Sequence, residues 1–383
     1  MKIIPTIFHL LAFQLTQTHS FSATPATPVV TSPETTTNND NIKYKTPIVI
    51  CPGFGNDSID YDTPLNQPPS KGLQTILSNQ GFDKSNIYIT PVKRIDWIRV
   101  GGGLFDIPDF YTNTAKPTGL GYGWYIQRLK ECVDLAYEES GGQKVILIGH
   151  SAGGWLARAA MGDGVWSTST STSTETETST DIRTNEKVSC LVTVGAIHKT
   201  PSDGSDGTTC VTRGALKFVE ENYPGAFLKE EGIKYISIGG KAIVGDKNDA
   251  VVDSSDADTD ADIESNADQV YAVRGEGSAK KVAFTSYEAV CGDGNVVGDG
   301  VVPLEWSMLE GARQIQLDDV LHSINEAGTT IPTDRWYGSE KVVNRWLPDV
   351  LDEINLVDKN SRKNNADENV FDGLQQWATN LFK

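Results

Sequence analysis

Val145-Ile146-Leu147-Ile148-Gly149-His150-Ser151-Ala152-Gly153-Gly154 is the stretch on which the reading of this chain turns. A short, continuous apolar run bounded by glycine predicts a strand buried on both faces. It leads directly into Gly-His-Ser-Ala-Gly, and an alanine-rich helix is predicted over Ala152–Met161. A G-x-S-x-G between strand and helix demands a sharp turn. The bare Cα positions at Gly149 and Gly153 let strand and helix approach closely, and Ser151 is pushed above the strand ends in a strained backbone conformation. Its hydroxyl then stands at a helix N-terminus, where unpaired N–H groups and the helix dipole favour a developing anion. Ser151 is the candidate nucleophile, and the Ala152 N–H the first candidate oxyanion donor.

Working outward, the same alternation recurs. Strands are expected at Pro47–Cys51, Asn86–Val92, Lys144–Ile148, Val188–Val194, Ile233–Ile238 and Ala312–Leu317. Helices are expected at Gly72–Gln80, Tyr122–Ser140, Ala152–Met161, Gly214–Asn222 and Ser339–Ile354. Apolar strands separated by helices imply βαβ units, hence an α/β fold whose mostly parallel central sheet is covered by helices on both faces. The loop Pro52-Gly53-Phe54-Gly55 follows the first strand. Gly53 lets the backbone approach the nucleophile, which makes the Phe54 N–H the candidate second oxyanion donor. A plain Pro-Gly turn is the competing reading. Asn56-Asp57-Ser58 is a glycosylation sequon beside this loop, where a glycan would obstruct the site.

A serine nucleophile needs a proton acceptor, and the chain has five histidines. His9 and His19 lie in the leader, and His150 lies inside the elbow, where the residue before the nucleophile packs away from it. His198 and His322 remain. In this arrangement the acid precedes the histidine in chain order. Gly298-Asp299-Gly300-Val301-Val302-Pro303 offers an acid on a glycine-bounded loop, ahead of Val320-Leu321-His322-Ser323 just past a strand. Asp299 and His322 therefore fit as orienting acid and base, with Asp293, Glu305 and Asp318 as rival acids. His198 reads as a hydrogen-bonded structural histidine.

The elbow, the Pro-Gly-Phe-Gly loop, Gly-Asp-Gly-Val-Val-Pro and the late histidine together resemble the α/β-hydrolase superfamily, on its lipase-like side. Pro91-Val92-Lys93-Arg94-Ile95-Asp96-Trp97 and Thr333-Asp334-Arg335-Trp336-Tyr337-Gly338 are similar to phrases of uncharacterised lipase-like hydrolases of cyanobacteria and plant plastids. The resemblance spans about Pro47 to Leu347. It implies nucleophile Ser151, acid Asp299, base His322, oxyanion amides at Phe54 and Ala152, and a carboxylic ester of lipid type as substrate. Gly195-Ala196-Ile197-His198 departs from the Gly-Thr-Pro-His that such lipases often carry. Thioester cleavage and deacylation of inositol-linked acyl groups are alternative activities. An inactive binding module is the alternative of another class.

The segment from Arg99 to Gly121 holds Leu104, Phe105, Phe110 and Tyr111, read either as an apolar wall for an acyl chain or as a loop packing its aromatics on the body. No phosphate-cradling motif and no metal-ligand spacing occur. The acidic run Asp256–Glu264 lacks the glycine and closing glutamate of a calcium loop, so neither cofactor nor metal is expected.

Composition bounds the rest. The chain has 383 residues, a formal charge of −18, 38% hydrophobic residues and 36 glycines. That is enough apolar material for a large core, and the acidic balance disfavours nucleic acid as a partner. Residues 1–22 read as a signal or targeting leader: Lys2 precedes a short apolar run. Residues 23–45 form a Ser/Thr/Pro-rich linker, 46–355 the catalytic domain and 356–383 a polar tail. Two insertions cannot feed a core, a Ser/Thr run at 167–180 and an acidic run at 246–268. The leader implies entry to the secretory pathway, with secretion and a two-part plastid route both open. Peripheral contact with a membrane is compatible with this reading, but no transmembrane span is expected.

Overall fold

A computed structural model describes residues 42–101, 109, 112–162, 166, 184–201, 211–249, 278–326, 329 and 331–355. The leader, nearly all of the linker, the Ser/Thr insertion, most of the acidic insertion and the polar tail lie outside these residues. So do Leu104, Phe105, Phe110 and Tyr111, and with them the proposed acyl wall.

The strands are β1 (Ile48–Cys51), β2 (Ile87–Ile89), β3 (Val145–His150), β4 (Val188–Val194), β5 (Lys234–Lys241), β6 (Ile243–Val244), β7 (Val297–Gly298) and β8 (Arg313–Asp318). The helices used below are α1 (Leu73–Asn79), α2 (Gly123–Glu139), α3 (Ala152–Met161), α4 (Ala215–Asn222), α5 (Ala279–Cys291) and α6 (Glu340–Glu353). Six strands form one sheet in the order β2-β1-β3-β4-β5-β8, and every neighbouring pair runs parallel. Strands β6 and β7 make a separate antiparallel ribbon.

Side chains alternate across a strand, and the core divides accordingly. Val49, Cys51 and Leu147 turn to one face, where residues of α2, α3 and α4 cover them. Ile48, Ile50, Ile146 and Ile148 turn to the other, beneath α1 and α6. This is the expected α/β fold with helices on both faces, of α/β-hydrolase-like arrangement.

The order also locates a crevice. The chain leaves β1 toward β2 on one side and returns to β3 on the other, so β1 and β3 flank a topological switch point. Ligands in open parallel sheets bind outside the carboxyl ends of the strands at such a point. The loop after β1 and the turn after β3 both open there. Among the described residues no helix is long and apolar enough to cross a membrane.

Candidate active site

Ser151 follows β3 directly and is the N-cap of α3, with φ 52° and ψ −124°. A non-glycine residue in that region is under strain of roughly 1–3 kcal/mol, and such strain persists only where the surroundings over-determine it. The determinants are visible. A Cβ on Gly153 would lie 2.1 Å from the Cys51 carbonyl oxygen, and one on Gly149 would lie 2.5 Å from Gly154 Cα. No larger residue fits either position, so the turn closes only with glycine there. Ser151 N–H donates to the Val194 carbonyl at 3.0 Å, which fastens the elbow to the end of β4. The Ser151 hydroxyl does not cap its own helix.

The loop after β1 lies over the elbow: a Cβ on Gly53 would stand 2.9 Å from Ser151 Cβ. Four side chains hold this loop. Tyr125 Oη donates to the Pro52 carbonyl at 2.8 Å, and Gly53 N–H donates to Tyr61 Oη at 2.9 Å. Arg94 Nε donates to the Gly55 carbonyl at 3.0 Å, and Trp97 Nε1 to the Asn56 carbonyl at 2.9 Å. With Gly53 and Asn56 N–H both engaged, the Phe54 N–H has no acceptor among the described residues. As the first residue of α3, Ala152 has an N–H without an intrahelical acceptor. Both amides named from the sequence thus belong to elements that border Ser151, and neither has a hydrogen-bond acceptor among the described residues.

Asp299 and His322 lie together and buried, with Oδ2 2.9 Å from Nδ1. The carboxylate is held from every side. Its Oδ1 accepts the Val301 and Val302 N–H groups at 3.0 and 2.7 Å, and its Oδ2 also accepts the Tyr337 hydroxyl at 2.8 Å. Tyr337 Oη in turn accepts Gly240 N–H at 2.7 Å, and His322 N–H donates to the Asp299 carbonyl at 2.9 Å. A carboxylate with no freedom to turn fixes the imidazole tautomer beside it. The rival acids are engaged elsewhere: Glu305 pairs with Lys199, Asp318 with Lys241, and Asp293 is exposed.

Gly195 joins this pair to the elbow. It follows Val194, which accepts the Ser151 N–H, and has φ +58°. A Cβ there would meet Tyr337 at 2.7 Å, Asp299 Oδ2 at 2.8 Å and His322 Nδ1 at 3.0 Å. The imidazoles of His150 and His322 lie with centroids 4.9 Å apart. No hydrogen bond between the Ser151 hydroxyl and His322 is present among the described residues.

His198 stays outside the group. It is buried, its Nε2 lies 3.0 Å from Thr193 Oγ1, and its carbonyl faces Arg158 at 3.4 Å. Burial and the nearby Arg158 hold its pKa well below the usual histidine value. His150 is buried too, and burial, followed by repulsion from His322, lowers its pKa to about 3. Burial raises the Asp60 carboxyl, against the pull of Arg94 2.7 Å away. Asp60, Arg94, Asn56, His150 and His322 line one small cleft. Among the described residues no three His, Cys, Asp or Glu side chains group as metal ligands.

Tyr61, Tyr337 and Gly195 were not assigned roles from the sequence. Tyr61 carries no local signal, being one aromatic in a polar loop. Tyr337 lies in the Thr333–Gly338 phrase, and Gly195 lies where the sequence departs from the lipase pattern, so the sequence marks both positions without a mechanism.

The fold, a mostly parallel six-stranded sheet with helices on both faces, is α/β-hydrolase-like. The chain matches no protein-family model and no curated protein. Among solved structures it is similar to phospholipase PlaB from Legionella pneumophila in complex with thio-NAD, at 12% identity and a TM-score of 0.28. That alignment covers 51% of this chain and 38% of PlaB, so the chain spans well under half the length of that protein. It is also similar to the lin2722 gene product of Listeria innocua, at 12% identity and a TM-score of 0.27, over 52% of this chain and 71% of that one. Likenesses this slight carry no argument about activity.

Proposed function

We propose that the protein is a serine hydrolase that cleaves carboxylic esters, lipid esters in particular, by acyl transfer through Ser151, His322 and Asp299. The observation that carries the reading is a strained serine at φ 52°, set at the switch point of a parallel sheet near a buried His–Asp pair joined through Nδ1 and Oδ2 at 2.9 Å. His322 Nε2 accepts the Ser151 proton as Oγ attacks the ester carbonyl. Asp299 keeps the second proton on Nδ1 and stabilises the imidazolium. The Phe54 and Ala152 amides stabilise the oxyanion, and His322 returns the proton to the departing alcohol. Water then cleaves the acyl-enzyme by the same steps. A lipid-like ester is supported by Ile59 and Ile95, exposed next in sequence to the cleft residues Asp60 and Arg94.

A fluorophosphonate probe tests this directly. Labelling of the wild type that disappears in Ser151→Ala is expected. A folded wild type that takes no label removes the hydrolase reading and favours a binding module.

A further inference from the structure

The three loops that would carry the chemistry are tied by one directed chain of hydrogen bonds. We propose that Tyr61 and His150 are positioning residues that hold the oxyanion loop, the nucleophile elbow and the base loop in register. This rests on the serine-hydrolase reading given above.

The direction of the chain follows from what each atom can do. His150 Nε2 lies 2.9 Å from the His322 carbonyl oxygen, and a carbonyl only accepts, so Nε2 bears the proton. Neutral His150 then has a lone pair on Nδ1, which lies 2.8 Å from Tyr61 Oη. The Tyr61 hydroxyl donates there, and its oxygen accepts Gly53 N–H at 2.9 Å. The chain runs from Gly53 N–H through Tyr61 and His150 to the carbonyl of His322, with every donor and acceptor used once.

Its end points are what give it a task. Gly53 precedes Phe54, whose amide is the second oxyanion donor. His150 precedes Ser151. The last acceptor belongs to the backbone of His322 itself. One buried tyrosine and one buried histidine therefore fix three loops that arise after β1, β3 and β8. Trp336 walls the pair in, with its ring centroid 6.2 Å from both. Apolar side chains could fill the same space, but they would orphan the Gly53 N–H and remove the tie to the His322 carbonyl.

The test compares rates of phosphonylation by a fluorophosphonate, which read the alignment of nucleophile, base and oxyanion donors. Tyr61→Phe and His150→Phe should each slow labelling about 10–100-fold, the scale of a small misplacement of reacting groups. Because both cut the same chain, the double variant should be no slower than the slower single variant. His150→Gln, which can still accept from Tyr61 and donate to His322, should recover much of the rate. Single variants as fast as wild type, or a double-variant loss equal to the product of the single losses, would overturn the proposal. Should the phenylalanine variants not fold, long-range proton–nitrogen NMR of histidine-labelled Ser151→Ala protein decides it. The chain requires His150 to be protonated on Nε2 alone at neutral pH, and a proton on Nδ1 would overturn it. A wild type that takes no label defeats the hydrolase reading instead, and the NMR result then judges the chain by itself.

Discussion

A single carbon added at Gly195 would reach three members of the site at once. It would fall within 3.0 Å of Tyr337, Asp299 Oδ2 and His322 Nδ1, at a position whose φ of +58° already disfavours any side chain. Gly195→Ala should therefore lower kcat for ester hydrolysis by about 100-fold or more through displacement of the base. Its stability should fall by roughly 1–3 kcal/mol from the backbone alone. Steady-state kinetics with a soluble ester beside urea unfolding separates the two effects; unchanged kcat would show that the pair tolerates the shift. The strain at Ser151 gives a second test at this scale. Glycine relieves a positive φ and alanine does not. Ser151→Gly should thus melt no lower than Ser151→Ala, although glycine costs more unfolded-state entropy, and both should be inert to the fluorophosphonate. A clearly lower melting temperature for the glycine variant would argue that the elbow is not strained.

The strands and helices that the sequence predicts form in kind and differ at their ends, while α5, β6 and β7 form unpredicted. Strand β2 is an edge strand that pairs only with β1, and just Ile87–Ile89 join the ladder. Pro91, with no N–H to give, lies inside the longer strand expected there. Strand β5 runs on to Lys241, past the expected Ile238, because β8 pairs with it through Gly239 and Gly240. Helix α5 has no counterpart in the sequence reading, yet its buried Ala283, Phe284, Tyr287 and Val290 follow helical spacing. That signal was present and lay hidden behind the acidic run that precedes it. Helix α6 links packing to the site. Trp346 is fully buried on it, and its Nε1 donates to the Tyr337 carbonyl at 3.0 Å. Trp346→Ala should destabilise the fold by about 3–5 kcal/mol. Because it frees the segment that holds Asp299, it should also lower kcat in the population that remains folded. Denaturant unfolding together with active-site titration checks both; a stability loss below about 1 kcal/mol would mean that α6 is not anchored there.

At the scale of the whole molecule, two neutral imidazoles set a pH dependence. The pKa of His150 is lowered to about 3 and that of His198 well below the usual value, in each case mainly by burial. The unfolded chain binds these protons near the ordinary histidine pKa, whereas the folded chain does not, so stability rises with pH across this window. The contribution is complete above about pH 7 and declines as the pH falls toward about 3. By pH 5 the loss is about 2 kcal/mol for His150, and His198 adds to it in the same direction. Asp60, whose carboxyl is raised by burial, works in the opposite sense, one carboxyl against two imidazoles. Urea midpoints should therefore drop measurably from pH 7.5 to pH 5, and a flat profile would contradict the neutral burial of both rings.

The apolar runs, their glycine and proline boundaries and the Gly149–Gly153 spacing determined the parallel sheet and the turn at Ser151. Those are local matters of side-chain period and backbone sterics, which a sequence states directly. Asp299 and His322 could be singled out because few histidines were available and chain order favoured an acid before them, but three other acids stayed open. Only the tertiary structure decided that Asp299, of the four candidate acids, reaches His322, that Tyr337 braces it, and that Gly195 leaves room for both. It alone ran a hydrogen-bond chain from Gly53 through Tyr61 and His150 to His322. These partners lie from 8 to 172 residues apart in the chain, and the directions of their donors and acceptors exist only once the strands have packed.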